Sequence, residues 1–158
     1  MSKIKSIDTP LSEITLRRYE KPYNLKRRDL VRKLTLGMGL LNPGDSRDVI
    51  VDILCILLDA RKNKIKLSSE TIRGKVIEFR KEHKLDYNGT ASSNIRRQLK
   101  RLRELFLVEK VKNDYIITEF DTCLSTFEDK IERYLIPSII ERLKNYMKEV
   151  DREFGENE

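Results

Sequence analysis

Between Gly89 and Thr118 the chain reads GTASSNIRRQLKRLRELFLVEKVKNDYIIT, and five cations, Arg96, Arg97, Lys100, Arg101 and Arg103, are set among Ile95, Leu99, Leu102 and Leu105. A guanidinium offers a planar fork of donors that matches the O6 and N7 acceptors of guanine, or two oxygens of a phosphate. At 100° per residue Ala91, Ile95, Leu99, Leu102 and Phe106 share one face of a helix. The opposite face holds Thr90, Ser93, Arg97, Lys100 and Arg101, with Asn94 and Arg96 at its flanks. The small residues Thr90, Ser92 and Ser93 permit close approach to a base edge. Asn94 suits adenine and Arg96 or Arg97 suits guanine, while Lys100 and Arg101 suit phosphates. Further on, Lys112 and Asn113 stand where a hairpin tip would touch a backbone or minor groove, although any exposed turn needs polar residues there. Charge on the outer face of an amphipathic helix is usually plain solvation; here five cations are opposed by Glu104 alone, which favours duplex DNA as the partner.

Other chemistry finds little support. His83 is the only histidine, and Cys55 and Cys123 lie far apart, so neither a four-ligand zinc site nor a disulfide framework can be composed. No phosphate-binding glycine loop, nucleophile elbow or zinc-protease motif occurs. Carboxylates are plentiful, yet no stretch isolates a pair in an apolar setting where a pKa could be tuned for acid–base work. The expectation is a binding protein, not an enzyme, with no cofactor, no metal and no evident small-molecule ligand.

The bulk charge agrees with an anionic partner. Among 158 residues 33 Lys and Arg face 26 Asp and Glu, giving +7 and a pI near 9.4. Apolar residues at 39% are enough for a core, and a charged fraction of 37% with a single Gln matches the drift of hyperthermophile proteins. The longest apolar stretch, near Val49 to Leu58, is cut by Asp52 and too short to cross a bilayer, and the N-terminus lacks an apolar signal region. A cytoplasmic protein is expected.

These side chains need elements to position them. Residues 1–23 have no apolar period, with breaks at Pro10 and Pro22, and read as an extended, partly ordered arm. Asn24 is a candidate cap for a short basic helix, NLKRRDLVRKLTL, ended by Gly37 and Gly39. Asp45 or Ser46 is a candidate cap for a core helix from about Arg47 to Arg61. Ser68 or Ser69 then caps an amphipathic helix carrying Ile72, Val76 and Phe79. The basic helix follows from about Thr90 to Phe106, and LVEKV and YIITE read as two strands of a hairpin. Arg17, Arg18, Lys21, Lys26, Arg27, Arg28, Arg32 and Lys33 make a second basic concentration, suited equally to phosphate contacts and to a solvated surface.

The segment from Asp45 to Thr118 resembles archaeal winged helix-turn-helix transcription regulators, and within them the euryarchaeal regulators of archaellum genes. LSSETIRGKVIEF stands where that family has its positioning helix, TASSNIRRQLKRLREL where it has its recognition helix, and FLVEKVKNDYIIT where it has its wing. The family often has Gly where Phe106 stands. The resemblance implies sequence-specific binding of double-stranded DNA through one recognition helix per protomer. The rival readings are a winged-helix protein-interaction subunit whose basic face meets acidic protein, and an RNA-binding winged helix, which lacks exposed aromatics for base stacking.

From Thr122 the chain reads as helix, with Pro137 placed as a kink or in a first turn. Ile136, Ile140, Leu143, Met147, Val150 and Phe154 alternate steps of four and three, a heptad seam that Phe127, Ile131 and Leu135 extend upstream. The expected fold is mainly α with a small β-hairpin: a winged helix-turn-helix plus C-terminal dimerisation helices. Its parts are an arm and basic helix at 1–44, the winged helix at 45–121 and a homodimerising helical segment at 122–158.

Overall fold

A computed structural model gives the fold and describes residues 7–155, which are mainly helical with one small three-stranded antiparallel sheet. Residues 14–19 run extended toward helix α1, Arg27–Gly37, and the amide of Arg17 donates to the Gly37 carbonyl at 2.8 Å. The Arg17 guanidinium donates to the carbonyls of Leu36 and Leu41 at 2.8 and 3.1 Å and so ties the extended segment to the end of α1 and the turn that follows it. Gly39, at φ 72°, makes this crossing possible: a Cβ there would lie 2.6 Å from the Thr15 side chain. The expected cap at Asn24 is corrected. Asn24 is left-handed at φ 59°, and α1 begins at Arg27 behind Lys26, with no side-chain cap.

Helix α2, Val49–Lys62, buries Val49, Ile50, Val51, Ile53, Leu54 and Leu57, because its first two turns are apolar nearly all round. It starts two residues later than the sequence suggests, and neither Asp45 nor Ser46 caps it. Strand β1, Leu67–Ser68, leads into helix α3, Ser69–Glu82, whose N-terminal amide at Thr71 donates to the Ser68 hydroxyl at 3.1 Å. Ile72 and Val76 face inward, as their spacing predicts, whereas Phe79, the third of the series, is half-buried outside the core and stacks on the His83 ring.

Helix α4, Ser92–Glu104, ends in a left-handed residue, Phe106 at φ 65°. The Leu107 amide reaches back to the Leu102 carbonyl at 3.1 Å, the bond that closes a glycine-type helix terminus. A bulky residue thus occupies a conformation that glycine takes at no steric cost. Strands β2, Val108–Val111, and β3, Asp114–Ile117, form a hairpin around Lys112 and Asn113, in register Val108 to Ile117 and Val111 to Asp114. β1 pairs with the other edge of β3, so the sheet order is β1-β3-β2. One core joins Leu36, Leu40 and Leu41 with α2, Ile72 and Val76, Ile95, Leu99 and Leu102, Tyr115 and Ile117. Each large side chain buried there contributes roughly 1.5–3 kcal/mol before ordering costs.

The last element is one helical rod from Cys123 to Glu153, about 45 Å long at 1.5 Å per residue, capped by the Thr122 hydroxyl, which accepts from the Ser125 amide at 3.1 Å. Helix α5, Cys123–Thr126, runs through a wide π-helical stretch, Phe127–Leu135, into helix α6, Ile136–Glu153. The Ile136 amide donates to the carbonyl of Ile131, five residues back. Pro137 sits in the first turn of α6, where its missing N–H costs little, so the helix continues through it. Ile131 has 0% of its surface exposed and belongs to this chain's own core, which corrects its expected place in a partner seam. Phe127 and Ile136 also pack half-buried on that core, and Leu135 is half-buried. Beyond them Ile140, Leu143, Met147 and Val150 are 47–60% exposed along α6, none of whose residues is buried.

Beneath α2 lies a buried ionic cluster. Asp52, 1% exposed, accepts from Arg28 Nε at 2.8 Å and Arg80 Nη1 at 2.5 Å. Asp48 accepts from Arg32 Nη1 at 2.9 Å and Arg80 Nη1 at 3.3 Å, and the Arg80 Nε donates to the Asp86 carbonyl at 2.5 Å. Burial alone would lower the pKa of Arg28, but the carboxylates of Asp52 and Asp48 more than offset it and hold the guanidinium above its ordinary value. Helices α1, α2 and α3 are thereby tied at one point.

Both thiols are half-buried, which disfavours their thiolates. Burial first, then the Asp52 carboxylate, pushes the Cys55 pKa up to about 11, and burial also raises Cys123. The thiolate fraction of Cys55 at pH 7 is therefore on the order of one in ten thousand. Native protein should take up iodoacetamide at neutral pH much more slowly than protein unfolded by denaturant. Labelling of Cys55 at equal rates in the two states would contradict its raised pKa.

Candidate nucleic-acid interface

Helix α4 is mounted by its apolar face. Ile95, Leu99 and Leu102 are each 0% exposed, so the 3.6-residue period turns Ser93, Arg96, Arg97, Lys100 and Arg103 outward, where all five are exposed. Its first turn carries no acid, and Glu104 is its only carboxylate. Lys100 and Arg103 form no ion pair or side-chain hydrogen bond among the described residues, and Arg96 lies 4.0 Å from Glu70, at the limit of an ion pair on an exposed surface. Positive charge on this face is therefore nearly uncompensated, the arrangement that raises the local concentration of a polyanion.

Two expected contact residues serve the support of the helix instead. Thr90 is 8% exposed; its hydroxyl donates to the Tyr87 carbonyl at 2.8 Å, and its carbonyl accepts from Arg73 Nε at 2.7 Å. That corrects its assignment to the outer face: the helix starts at Ser92, so Thr90 lies in the preceding turn and not on the wheel. Asn94 is half-buried and engaged at both ends of its amide. It donates to the Gly89 carbonyl at 2.8 Å and accepts from Gln98 at 3.0 Å and Arg97 at 3.3 Å. Pairing with adenine would require these bonds to be exchanged. Ser92 is half-buried, and Arg101 is half-buried with its guanidinium on Gln98 Oε1 at 2.9 Å.

The hairpin lies beside the C-terminal end of α4. A cleft of about 500 Å³ between them is lined by Lys100, Arg103, Phe106, Glu109, Lys110 and Lys130 among others. Lys110 and Lys130 were not singled out from the sequence. No sequence signal marks Lys110: period-two alternation places Val108 and Lys110 on one face of β2, yet Val108 is buried and Lys110 exposed. Lys130, on the rod, has none either. Lys112, left-handed at φ 59°, and Asn113 are exposed at the hairpin tip, away from that cleft.

The second basic concentration divides. Arg28 and Arg32 point into the buried cluster, Arg17 bonds to the end of α1, Arg27 pairs with Asp59, and Lys33 pairs with Glu20 at 2.9 Å and covers the Tyr19 ring at 4.6 Å. Half of these eight cations are thus paired with carboxylates, whereas on the outer face of α4 the nearest approach to an ion pair is that of Arg96 to Glu70.

Among the described residues no three His, Cys, Asp or Glu side chains converge as metal ligands, and no helix is long and apolar enough to cross a membrane. No family model matches the chain, and comparisons with curated proteins and with solved structures return no match.

Proposed function

We propose that this chain is a sequence-specific, double-stranded-DNA-binding transcription regulator of winged helix-turn-helix type that acts as a homodimer. The observation that carries the reading is α4: Ile95, Leu99 and Leu102 fully buried on one face, and an opposite face bearing Arg96, Arg97, Lys100 and Arg103 with almost no compensating acid. The order helix, short strand, helix, helix, hairpin, with β1 on the far side of β3, supports the winged-helix assignment. The exposed apolar residues of α6 support association of two copies. Soluble partners of other kinds make different demands: an acidic protein would not reproduce the steep salt dependence of phosphate neutralisation, and a duplex RNA would compete with duplex DNA.

Selection of bound sites from a random duplex pool tests the reading directly, and the selected site then separates two roles on α4. Arg97→Ala is expected to weaken binding to that site by about 1–3 kcal/mol and to relax preference at one base position. Lys100→Ala is expected to weaken selected and random duplexes alike and to flatten the salt dependence by about one unit. If the pool yields no preferred sequence, or both variants bind as the parent does, the recognition-helix assignment is wrong.

A further inference from the structure

We infer that Arg47, together with Arg101, forms a clamp for one phosphodiester of the duplex backbone, at the edge of the surface presented by α4. This rests on the DNA-binding reading and adds to it a residue outside α4 and the hairpin. Arg47 lies in the turn before α2, two residues ahead of its first helical position. Its aliphatic stem is held in place. The turn leading into α4 passes directly over it at Gly89, φ 85°, where a Cβ would come within 3.2 Å of Arg47 Cγ and 3.3 Å of Val49 Cγ2. The same turn is fixed to α4 by the Asn94 amide on the Gly89 carbonyl. A long, mobile side chain is thus pinned at its base beside the first turn of the basic helix.

What the pinned stem delivers is a guanidinium without a partner. Among the described residues Arg47 forms no ion pair and no side-chain hydrogen bond, although Asp45 lies two residues away. It lines a polar cavity of about 240 Å³ whose wall also holds Arg97, Arg101, Asn94, Gln98 and Asp45. Arg97 and Arg101 are bonded there only to neutral amide oxygens, of Asn94 and Gln98, and Asp45 is the one acid in the wall, accepting from the Asn42 amide at 3.3 Å. Three guanidinium groups against one carboxylate leave the cavity positive. Forked donors arranged around a small polar space match an oxyanion with two free oxygens.

The backbone of a duplex is the source that fits the position. Arg97 belongs both to the cavity wall and to the exposed face of α4, so an anion between Arg47 and Arg101 lies alongside the bases that the outer face would meet. Such a contact carries no base information. It fixes the orientation of α4 on the duplex, with the turn before α2 as a second point of support.

The test uses the full chain on a random-sequence duplex between low and moderate salt. Arg47→Gln, Arg101→Gln and the double variant are compared with the parent, and thermal unfolding confirms that each retains the fold. Each single variant is expected to weaken binding about three- to tenfold on every sequence, and the double to flatten the log–log salt slope by about 0.9, the value for one phosphate. Because the two side chains share one anion, the double loses less than the product of the singles. Arg47→Lys, which keeps the charge and loses the fork, is expected to recover only part of the affinity. A parent that binds duplex with a steep slope while Arg47→Gln and Arg101→Gln match it overturns the clamp and leaves the DNA reading standing. A parent that binds no duplex overturns both. If inorganic phosphate at matched ionic strength displaces the parent more strongly than Arg47→Gln, the cavity is a free-anion site, and the assignment to the backbone is overturned.

Discussion

Arg80→Ala is expected to lower the unfolding free energy by about 3–5 kcal/mol, the cost of breaking a buried ion pair from one side. Arg80 and Asp52 are each 1% exposed, and the guanidinium also satisfies Asp48 and the Asp86 carbonyl. Its removal leaves an acceptor of Asp52 unmet in the interior and opens a cavity between α2 and α3. Arg28 remains on the other Asp52 oxygen and limits the loss to that range. Arg133→Ala, which breaks the exposed pair with Asp129 one turn away on the rod, is expected to cost only about 0.3–0.5 kcal/mol. Urea denaturation of both variants measures the contrast. A loss below about 1 kcal/mol for Arg80→Ala would mean that water reaches this cluster and screens it.

The second large effect lies in the rod. On the homodimer reading, Leu143→Lys with Met147→Lys is expected to give a monomer at micromolar concentration without unfolding the chain, because both side chains are at least half exposed and neither belongs to the core. Pairing two copies of α6 would bury each such side chain at roughly 1.5–3 kcal/mol before ordering costs, and the substitution places charge where that burial would occur. Point substitution is preferable to a cut near Thr122, which would also strip the fully buried Ile131 and the half-buried Phe127 from the chain's own core. Sedimentation of parent and variant at equal concentration decides the matter. A monomeric parent would remove the homodimer from the proposal, and a variant that remains dimeric would place the interface elsewhere.

Much of the helical framework is legible because periodicity is local. Ile72 and Val76, or Ile95, Leu99 and Leu102, announce their inward face through spacing alone, and Ser68 announces its helix start through the chemistry of its hydroxyl. The hairpin is legible for the same reason, although its third strand is not. Two residues, Leu67 and Ser68, carry no pattern, and only β3 makes them a strand. At Val49 the helix start is hidden because tertiary partners override capping preference: Asp48, the residue before it, is occupied by three arginines. The same long-range pairing hides the buried cluster, whose bonds to Asp48 and Asp52 join residues 16 to 32 apart that look in sequence like ordinary surface charges. In the candidate interface, the outward cations follow from the wheel. Thr90 does not, because a wheel assumes that the helix has already begun, and Arg47 does not, because only folding brings it beside Gly89.

The wide turn of the rod has a consequence for how folding and association are related. Among the residues of the rod that pack on the core, Phe127 is followed after four by Ile131 and after five more by Ile136, and the apolar residues then step by four and three to Phe154. A step of five is one residue too many for an α-helix, which would swing the later residues about 100° away from the earlier ones. The Ile136 amide bonds to the Ile131 carbonyl across this same step, so the π-helical stretch absorbs the surplus residue and keeps the stripe on one side. The residues packed on the core and the exposed apolar residues of α6 then follow one another along the rod, covered by the chain itself at one end and exposed at the other. On the homodimer reading, thermal stability depends on protein concentration, since every copy that docks completes an interior left unfinished by a single chain.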